Sequence, residues 1–195
     1  MMARPAARDK PKAFGIAPGR GRSDTVRMKV GLLSDTHNHL AETRRALDLL
    51  LARGAEHLVH CGDAGEDVVD LLAATCLERG LRAHVAIGNC DRPQLADAPF
   101  LPQPAGLERA EAPEFTLAGK QCVALHGDRA EILWQTVQSG RFDYVFTGHS
   151  HAPTDVREGR TRLVNPGSPV RPRSGPPTVA MLDLETDRVD WLALA

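Results

Sequence analysis

Aspartate, histidine and asparagine recur in this chain in short polar clusters. Four of them, Ser34-Asp35-Thr36-His37, Gly62-Asp63, Gly88-Asn89-Cys90-Asp91 and Gly148-His149-Ser150-His151, each close an apolar run, and a fifth, His126-Gly127-Asp128, does the same. A mixed Asp/His/Asn set suits borderline to hard divalent ions such as Mn, Fe, Zn, Co or Ni and fits thiolate-loving metals poorly. The candidate ligands are Asp35, His37, Asp63, Asn89, His126, His149 and His151. They exceed what one tetrahedral ion takes and suit two ions sharing a carboxylate. Two ions roughly 3.5–4 Å apart can clamp a phosphoryl group, activate a shared water and stabilise an in-line transition state. Side chains alternate along an extended segment, so Asp35 and His37 are expected on one side of theirs, and His149 and His151 likewise. Glycines at 62, 88, 127 and 148 let the backbone turn tightly and come close to a small ligand.

Elements that could carry these clusters are readable from the apolar pattern. Met28–Ser34, His57–Cys61 and Arg82–Ile87 read as buried strands, separated by helices over Leu40–Arg53 and Glu66–Arg79. Leu47, Leu50 and Leu51 form the buried stripe of the first helix, and Val68, Val69, Leu71 and Leu72 that of the second. Gly54 and Gly80 suit the left-handed positions that end them. This βαβαβ alternation favours parallel strands, whose C-terminal ends share the edge where such sheets place ligands. Pro93–Pro104 holds four prolines and reads as a loop. Three hairpins follow: Glu114–Leu117 with Gln121–Leu125, Thr154–Arg157 with Thr161–Asn165, and Val179–Leu184 with Arg188–Leu194. A helix over Arg129–Ser139, with Ile132, Leu133 and Val137 inward, and a strand over Phe142–Thr147 complete two mixed sheets packed together with helices outside.

Composition excludes several classes. The chain has 195 residues, 42% hydrophobic and 25% charged, which suits one globular domain. A net charge of −1 argues against nucleic-acid binding by bulk electrostatics, and 4% aromatic content gives no stacking groove. No apolar run approaches the roughly 18 residues of a membrane span. Residues 1–27 carry seven Lys/Arg against two Asp/Glu, leaving about −6 on the rest. That stretch reads as a disordered basic tail, or as residues ahead of a true start at Met28, with the domain over 28–195. Cys61, Cys76, Cys90 and Cys122 form no CxxC pair. Without a secretion signal they are expected as reduced thiols of a cytoplasmic protein. Cys61, Cys76 and Cys122 read as packed apolar residues.

The ordered set SDTH, CGD, GNCD, LHGD, GHSH and NPGS resembles the calcineurin-like metallophosphoesterases, and more narrowly their small single-domain bacterial and archaeal phosphodiesterase branch, over about residues 28–184. The resemblance implies a four-layer α/β/β/α sandwich and hydrolysis of phosphomonoesters or phosphodiesters by a hydroxide that bridges two metals. It implies that Asp35, His37 and His151 hold the first ion, Asn89, His126 and His149 the second, and that Asp63 bridges them. Manganese is the ion expected first, with Ni, Fe, Zn, Co or Mg as alternatives. Many relatives carry His after the Asn of the GNCD position, where it binds phosphate or protonates the leaving oxygen. Here that residue is Cys90, a poorer acid–base partner at neutral pH than imidazole. The catalytic set expected is therefore Asp63, Asn89, Cys90 and Asp91, with Asp91 orienting position 90.

Around this set, Arg92 and Arg173 are expected phosphate contacts, since a fork of donors matches phosphate oxygens. His39 is a further substrate-contact candidate. His57, His60 and His84 read as satisfied core or edge histidines. Trp134 reads as packing. The expected partner is a small phosphate ester, with a homo-oligomer left open. Two readings compete with a phosphodiesterase: a phosphomonoesterase, and a non-catalytic scaffold of the kind found in the retromer complex. The full ligand set favours an enzyme.

Overall fold

The computed structural model describes residues 27–95 and 103–194. The basic stretch up to residue 26 and the proline-rich residues 96–102 therefore lie outside the described residues. Strands β1 (Lys29–Leu33), β2 (His57–His60) and β3 (Arg82–Ala86) alternate with helices α1 (Leu40–Ala52) and α2 (Glu66–Arg79). They pair in parallel, Gly31 with Leu58 and Leu58 with Ala83. Gly54 and Gly80 adopt φ of +86° and +66°, which closes each helix in the left-handed conformation glycine tolerates. Thr43, Ala46, Leu47 and Leu50 are the buried face of α1, while Val68, Val69, Leu72 and Cys76 are that of α2. Leu51 and Leu71, expected in those stripes, are only partly buried.

Two elements differ from the sequence reading. Arg92–Leu95 is a short helical turn, α3, where a loop was expected. Pro93 is compatible with it because a first helical turn needs no N–H from proline. Strand β4 (Leu107–Ala110) was not expected, because Glu108 and Arg109 mask the apolar alternation of Leu107. As the outermost strand, parallel to β3, it can turn a charged side chain outward.

Strand β5 (Glu114–Leu117), β6 (Lys120–Ala124), α4 (Ala130–Gln138), β7 (Tyr144–Phe146), β8 (Thr154–Glu158), β9 (Thr161–Asn165), β10 (Thr178–Asp183) and β11 (Arg188–Ala193) follow. All three expected hairpins are present as antiparallel pairs. Among the described residues the strands form a six-stranded sheet, β11-β10-β1-β2-β3-β4, and a five-stranded sheet, β5-β6-β7-β9-β8. Both are mixed. One core lies between α1, α2 and the larger sheet, a second between the two sheets around Leu32, Val59 and Phe146, and a third under α4. The layering is thus α/β/β/α. In α4, Val137 is buried and Leu133 packs beside it, but Ile132 is 47% exposed rather than inward. Leu133 and Val137 are four residues apart and share a face, whereas Ile132 falls about 100° away.

Cys61, Cys76 and Cys122 are buried free thiols. His60 meets Thr36 Oγ1 at 3.0 Å, and His57 Nε2 meets His84 Nδ1 at 2.8 Å, so the core histidines are satisfied as expected. No described helix is long and apolar enough to cross a membrane.

Candidate metal centre

The C-terminal ends of β1, β2 and β3 lie at one edge of the larger sheet, and those of β6 and β7 at the matching edge of the smaller. The loops that leave them are stitched together by their own backbone. Asp35 N–H donates to Gly62 O, His37 N–H to Asp63 O, and Gly148 N–H to His126 O. His149 N–H donates to Asp35 Oδ2 at 3.0 Å, which joins the two sheets across the site. Ser168, in the Asn165-Pro166-Gly167-Ser168 turn, closes the back by donating to the Asp35 carbonyl at 2.9 Å.

The ligand pairs are not on extended chain. Asp35, His37, His149 and His151 have φ of +55°, +45°, +62° and +55°, and Asp63 has +54°. The same-side expectation from strand alternation is corrected here: left-handed turns, not period-two pleating, bring each pair together. Non-glycine residues in this region cost on the order of 1–3 kcal/mol each and persist only where surrounding contacts over-determine them. The glycines supply the room. A Cβ on Gly148 would lie 1.9 Å from Ser34 Oγ and 2.8 Å from Asp35 Oδ2, and one on Gly88 would lie 2.1 Å from Asp63 Oδ1.

Polar atoms converge in the space so formed. His37 Nε2 and His151 Nε2 face each other at 3.4 Å. Asp35 Oδ1 is 3.2 Å from His151 Nε2 and 3.9 Å from His126 Nε2. Asp63 Oδ2 is 3.4 Å from His126 Nε2 and 4.0 Å from His37 Nδ1. Asn89 Oδ1 meets His126 Nε2 at 3.1 Å, and the His149 ring stands edge-on to the His126 ring at 5.1 Å. Asp35, His37 and His151 form one compact group, Asp35, Asp63 and His126 a second, and His37, Asp63 and Cys90 a third. His39 is apart, exposed at the start of α1 with Glu42 beside it. Arg173 is exposed and touches the site's periphery through its N–H, which donates to His151 O.

Second contacts orient the rings. Cys61 O lies 2.9 Å from His126 Nδ1, and Arg171 O lies 2.6 Å from His151 Nδ1. A proton on each Nδ1 leaves each Nε2 lone pair aimed into the site, as metal-ligating histidines require. Sequence reasoning missed Arg171, because a backbone carbonyl leaves no trace in residue type. Cys90 N–H donates to Asp63 Oδ1 at 2.8 Å, leaving Oδ2 for other partners. The Asp91 carboxylate, expected beside the chemistry, faces backbone instead. It accepts from Gly88 N–H at 2.9 Å and Gly65 N–H at 3.0 Å, bracing the loop of Asp63 against that of Asn89. Arg92 is also engaged, by Asp128 and Glu111.

The donor set fits divalent cations. Among the described residues, Asp35 Oδ1 is a buried oxygen with no hydrogen bond, although leaving a buried carboxylate oxygen unpaired is costly. Burial pushes the Asp35 carboxyl above its ordinary value, against the pull of His126 and His151. Burial opposes ionisation of Asp63 too, but His126 and the Cys90 N–H hold it well below the usual carboxylate range. The paired Asp63 and Asp35 raise His126 against its own burial, while burial lowers His37. Two buried carboxylates thus create a negative potential surrounded by imidazole lone pairs, the environment in which a cation gains most.

The calcineurin-like phosphoesterase superfamily domain matches residues 28–187. A phosphodiesterase of Methanocaldococcus jannaschii is 28% identical over 163 residues, spanning 81% of this chain and 94% of its own. A probable metallophosphoesterase of Methanothermobacter thermautotrophicus is 28% identical over 172 residues, spanning 84% and 90%. Among solved structures, an archaeal phosphodiesterase superposes with a TM-score of 0.71 at 24% identity, over 86% of this chain and all of that one.

Proposed function

Because the chain belongs to the calcineurin-like phosphoesterase superfamily, we propose that it is a phosphodiesterase working with two divalent ions, manganese foremost. The observation that carries this reading is the placement of Asp63, whose Oδ2 lies between His37 of one ligand group and His126 of the other. Asp35, His37 and His151 would hold one ion, Asn89, His126 and His149 the other, and Asp63 both. When bound, such ions lower the pKa of a shared water and polarise phosphoryl oxygens.

The chain's own residues do the rest. The Asp35, Asp63 and histidine set is fixed before substrate arrives, because its turns are over-determined by backbone hydrogen bonds. That preorganisation removes the cost of assembling the site during reaction. In the metal-free protein, burial and the neighbouring Asp63 push the Cys90 thiol up to about 11. A thiol is a poorer acid–base partner than imidazole at neutral pH, so it assists a leaving oxygen only weakly. Turnover then favours diesters with good leaving groups. Preference for diesters is supported by the Methanocaldococcus jannaschii relative, a phosphodiesterase.

The test is hydrolysis of an aryl phosphodiester and its monoester with Mn²⁺, Ni²⁺ or no added metal, by wild type and Asp63→Asn. Metal-dependent diester cleavage that the variant loses is the expected result. Metal-independent activity, or a fully active variant, would overturn the two-ion reading, and faster monoester cleavage would overturn the preference.

A further inference from the structure

Arg92 is not the free phosphate contact its sequence position suggests, because three of its five N–H groups already face carboxylates. Nη1 and Nη2 donate to the two carboxylate oxygens of Asp128 at 2.6 and 3.2 Å, and Nε donates to Glu111 at 3.1 and 3.2 Å. This is a bidentate fork, which fixes direction as well as distance. The Arg92 and Asp128 side chains are only 25% and 15% exposed, so solvent screens the pair less than an open surface bridge.

The two partners sit on loops that matter for different reasons of chain order. Arg92 follows Asn89 by three residues, and Asp128 follows His126 by two. Asn89 and His126 are two of the three unshared ligands assigned above to the second ion. Among the described residues, the hydrogen bonds joining these loops are the Asn89–His126 contact itself and the Arg92–Asp128 fork. The first ion's unshared ligands, Asp35, His37 and His151, lie on other loops. Their supports are the His149 N–H, the Ser168 hydroxyl and the Arg171 carbonyl.

We propose that the Arg92–Asp128 fork is a positioning device for the second metal site alone, holding Asn89 and His126 at ligating separation while leaving the first site untouched. Beside the fork, the described residues give these two loops only the 3.1 Å Asn89–His126 contact to hold the ligands together. The fork supplies that constraint from outside the coordination sphere. Loss of such an outer support typically weakens metal binding by about 10- to 100-fold. A lysine at position 92 is a point charge without the planar fork, so it restores the attraction but not the geometry.

The inference rests on the two-ion reading, and titration of metal-free protein with Mn²⁺ separates the two. Wild type, Asp128→Asn and Arg92→Lys are compared by calorimetry, with the coupled-manganese signal in electron paramagnetic resonance as a second readout and thermal unfolding of each metal-free protein as the fold control. Wild type is expected to take two equivalents. Both variants are expected to keep one equivalent at wild-type affinity, to bind the other about 10- to 100-fold more weakly, and to lose the coupled signal at limiting metal. Two equivalents at unchanged affinity in both variants would overturn the positioning role, as would equal weakening of both sites. A wild type that binds a single equivalent would instead overturn the two-ion reading on which the inference stands.

Discussion

His37 Nε2 and His151 Nε2 point at each other across 3.4 Å, from loops that are 114 residues apart in sequence. With the His151 proton on Nδ1, facing the Arg171 carbonyl, the two nitrogens hold a weak contact at best. A divalent ion shared between them turns that contact into two ligand bonds. Metal should therefore stabilise the fold measurably. At a free Mn²⁺ concentration of about 100 times Kd, one binding site adds about 2.7 kcal/mol. Thermal unfolding with Mn²⁺ and with chelator checks this, and coincident melting curves would exclude tight binding to the native state.

Gly148→Ala should damage the site without removing any ligand. The new Cβ would fall 1.9 Å from Ser34 Oγ and 2.8 Å from Asp35 Oδ2, and both residues are fully buried. Overpacking of this kind costs on the order of 1–3 kcal/mol. We expect lower stability together with lower Mn²⁺ affinity, measured by denaturant unfolding and metal titration. Gly148 is outside the positive-φ region, so its cost is the clash; Gly140→Ala, with φ of +62° and no atom within 4 Å of the added Cβ, gives by contrast the cost of backbone strain without a clash.

Cys90→His should raise turnover most on the worst substrates. A thiol has a reference pKa near 8.5, pushed up to about 11 in the metal-free protein, whereas an imidazole has an unperturbed value near 6.5 and can donate at neutral pH. A series of diesters with leaving groups of rising pKa reads this out. The gain should grow along the series, reaching roughly 10²-fold for the poorest leaving groups, the lower end of general-acid effects. A gain that is flat across the series would show that proton donation is not what limits the wild type.

Acid should destabilise the protein in part through His57. Burial, with His84 and Arg82 close by, lowers its pKa to about 4. His84 Nδ1 faces it at 2.8 Å, Glu108 faces the other side of His84 at 3.4 Å, and Phe115 stacks on both rings. The unfolded chain, with a pKa near 6.5, binds this proton more readily than the folded one. The contribution is thus fully present above pH 6.5 and is lost as pH falls toward 4, by up to about 3 kcal/mol at 1.36 kcal/mol per pKa unit. In His57→Phe, which keeps the stack, unfolding free energy should fall less between pH 7 and pH 4.5 than in wild type. Parallel pH profiles would place the acid sensitivity elsewhere, on His60 among others, whose pKa burial also lowers to about 4.

The residues that converge at the candidate centre were legible in the residue types, because Asp, His and Asn at the ends of successive apolar runs have few structural reasons to be there. Strand direction was legible too, since helical spacing between apolar runs forces parallel crossovers and gathers their C-terminal ends. Period and spacing speak only for the backbone they lie on. Strand β4 escaped notice because its burial depends on β3 beside it, a neighbour that local alternation does not encode. Arg92 looked like a free cation until Asp128, 36 residues away, occupied its fork. Asp91 looked catalytic until Gly65, 26 residues earlier, claimed its carboxylate. The left-handed turns at Asp35, His37, Asp63, His149 and His151 are paid for by contacts between the two sheets, such as His149 N–H on Asp35. Which atoms could bind metal was therefore set by the order of amino acids, but where their lone pairs point was decided by tertiary hydrogen bonds strong enough to hold a strained backbone in place.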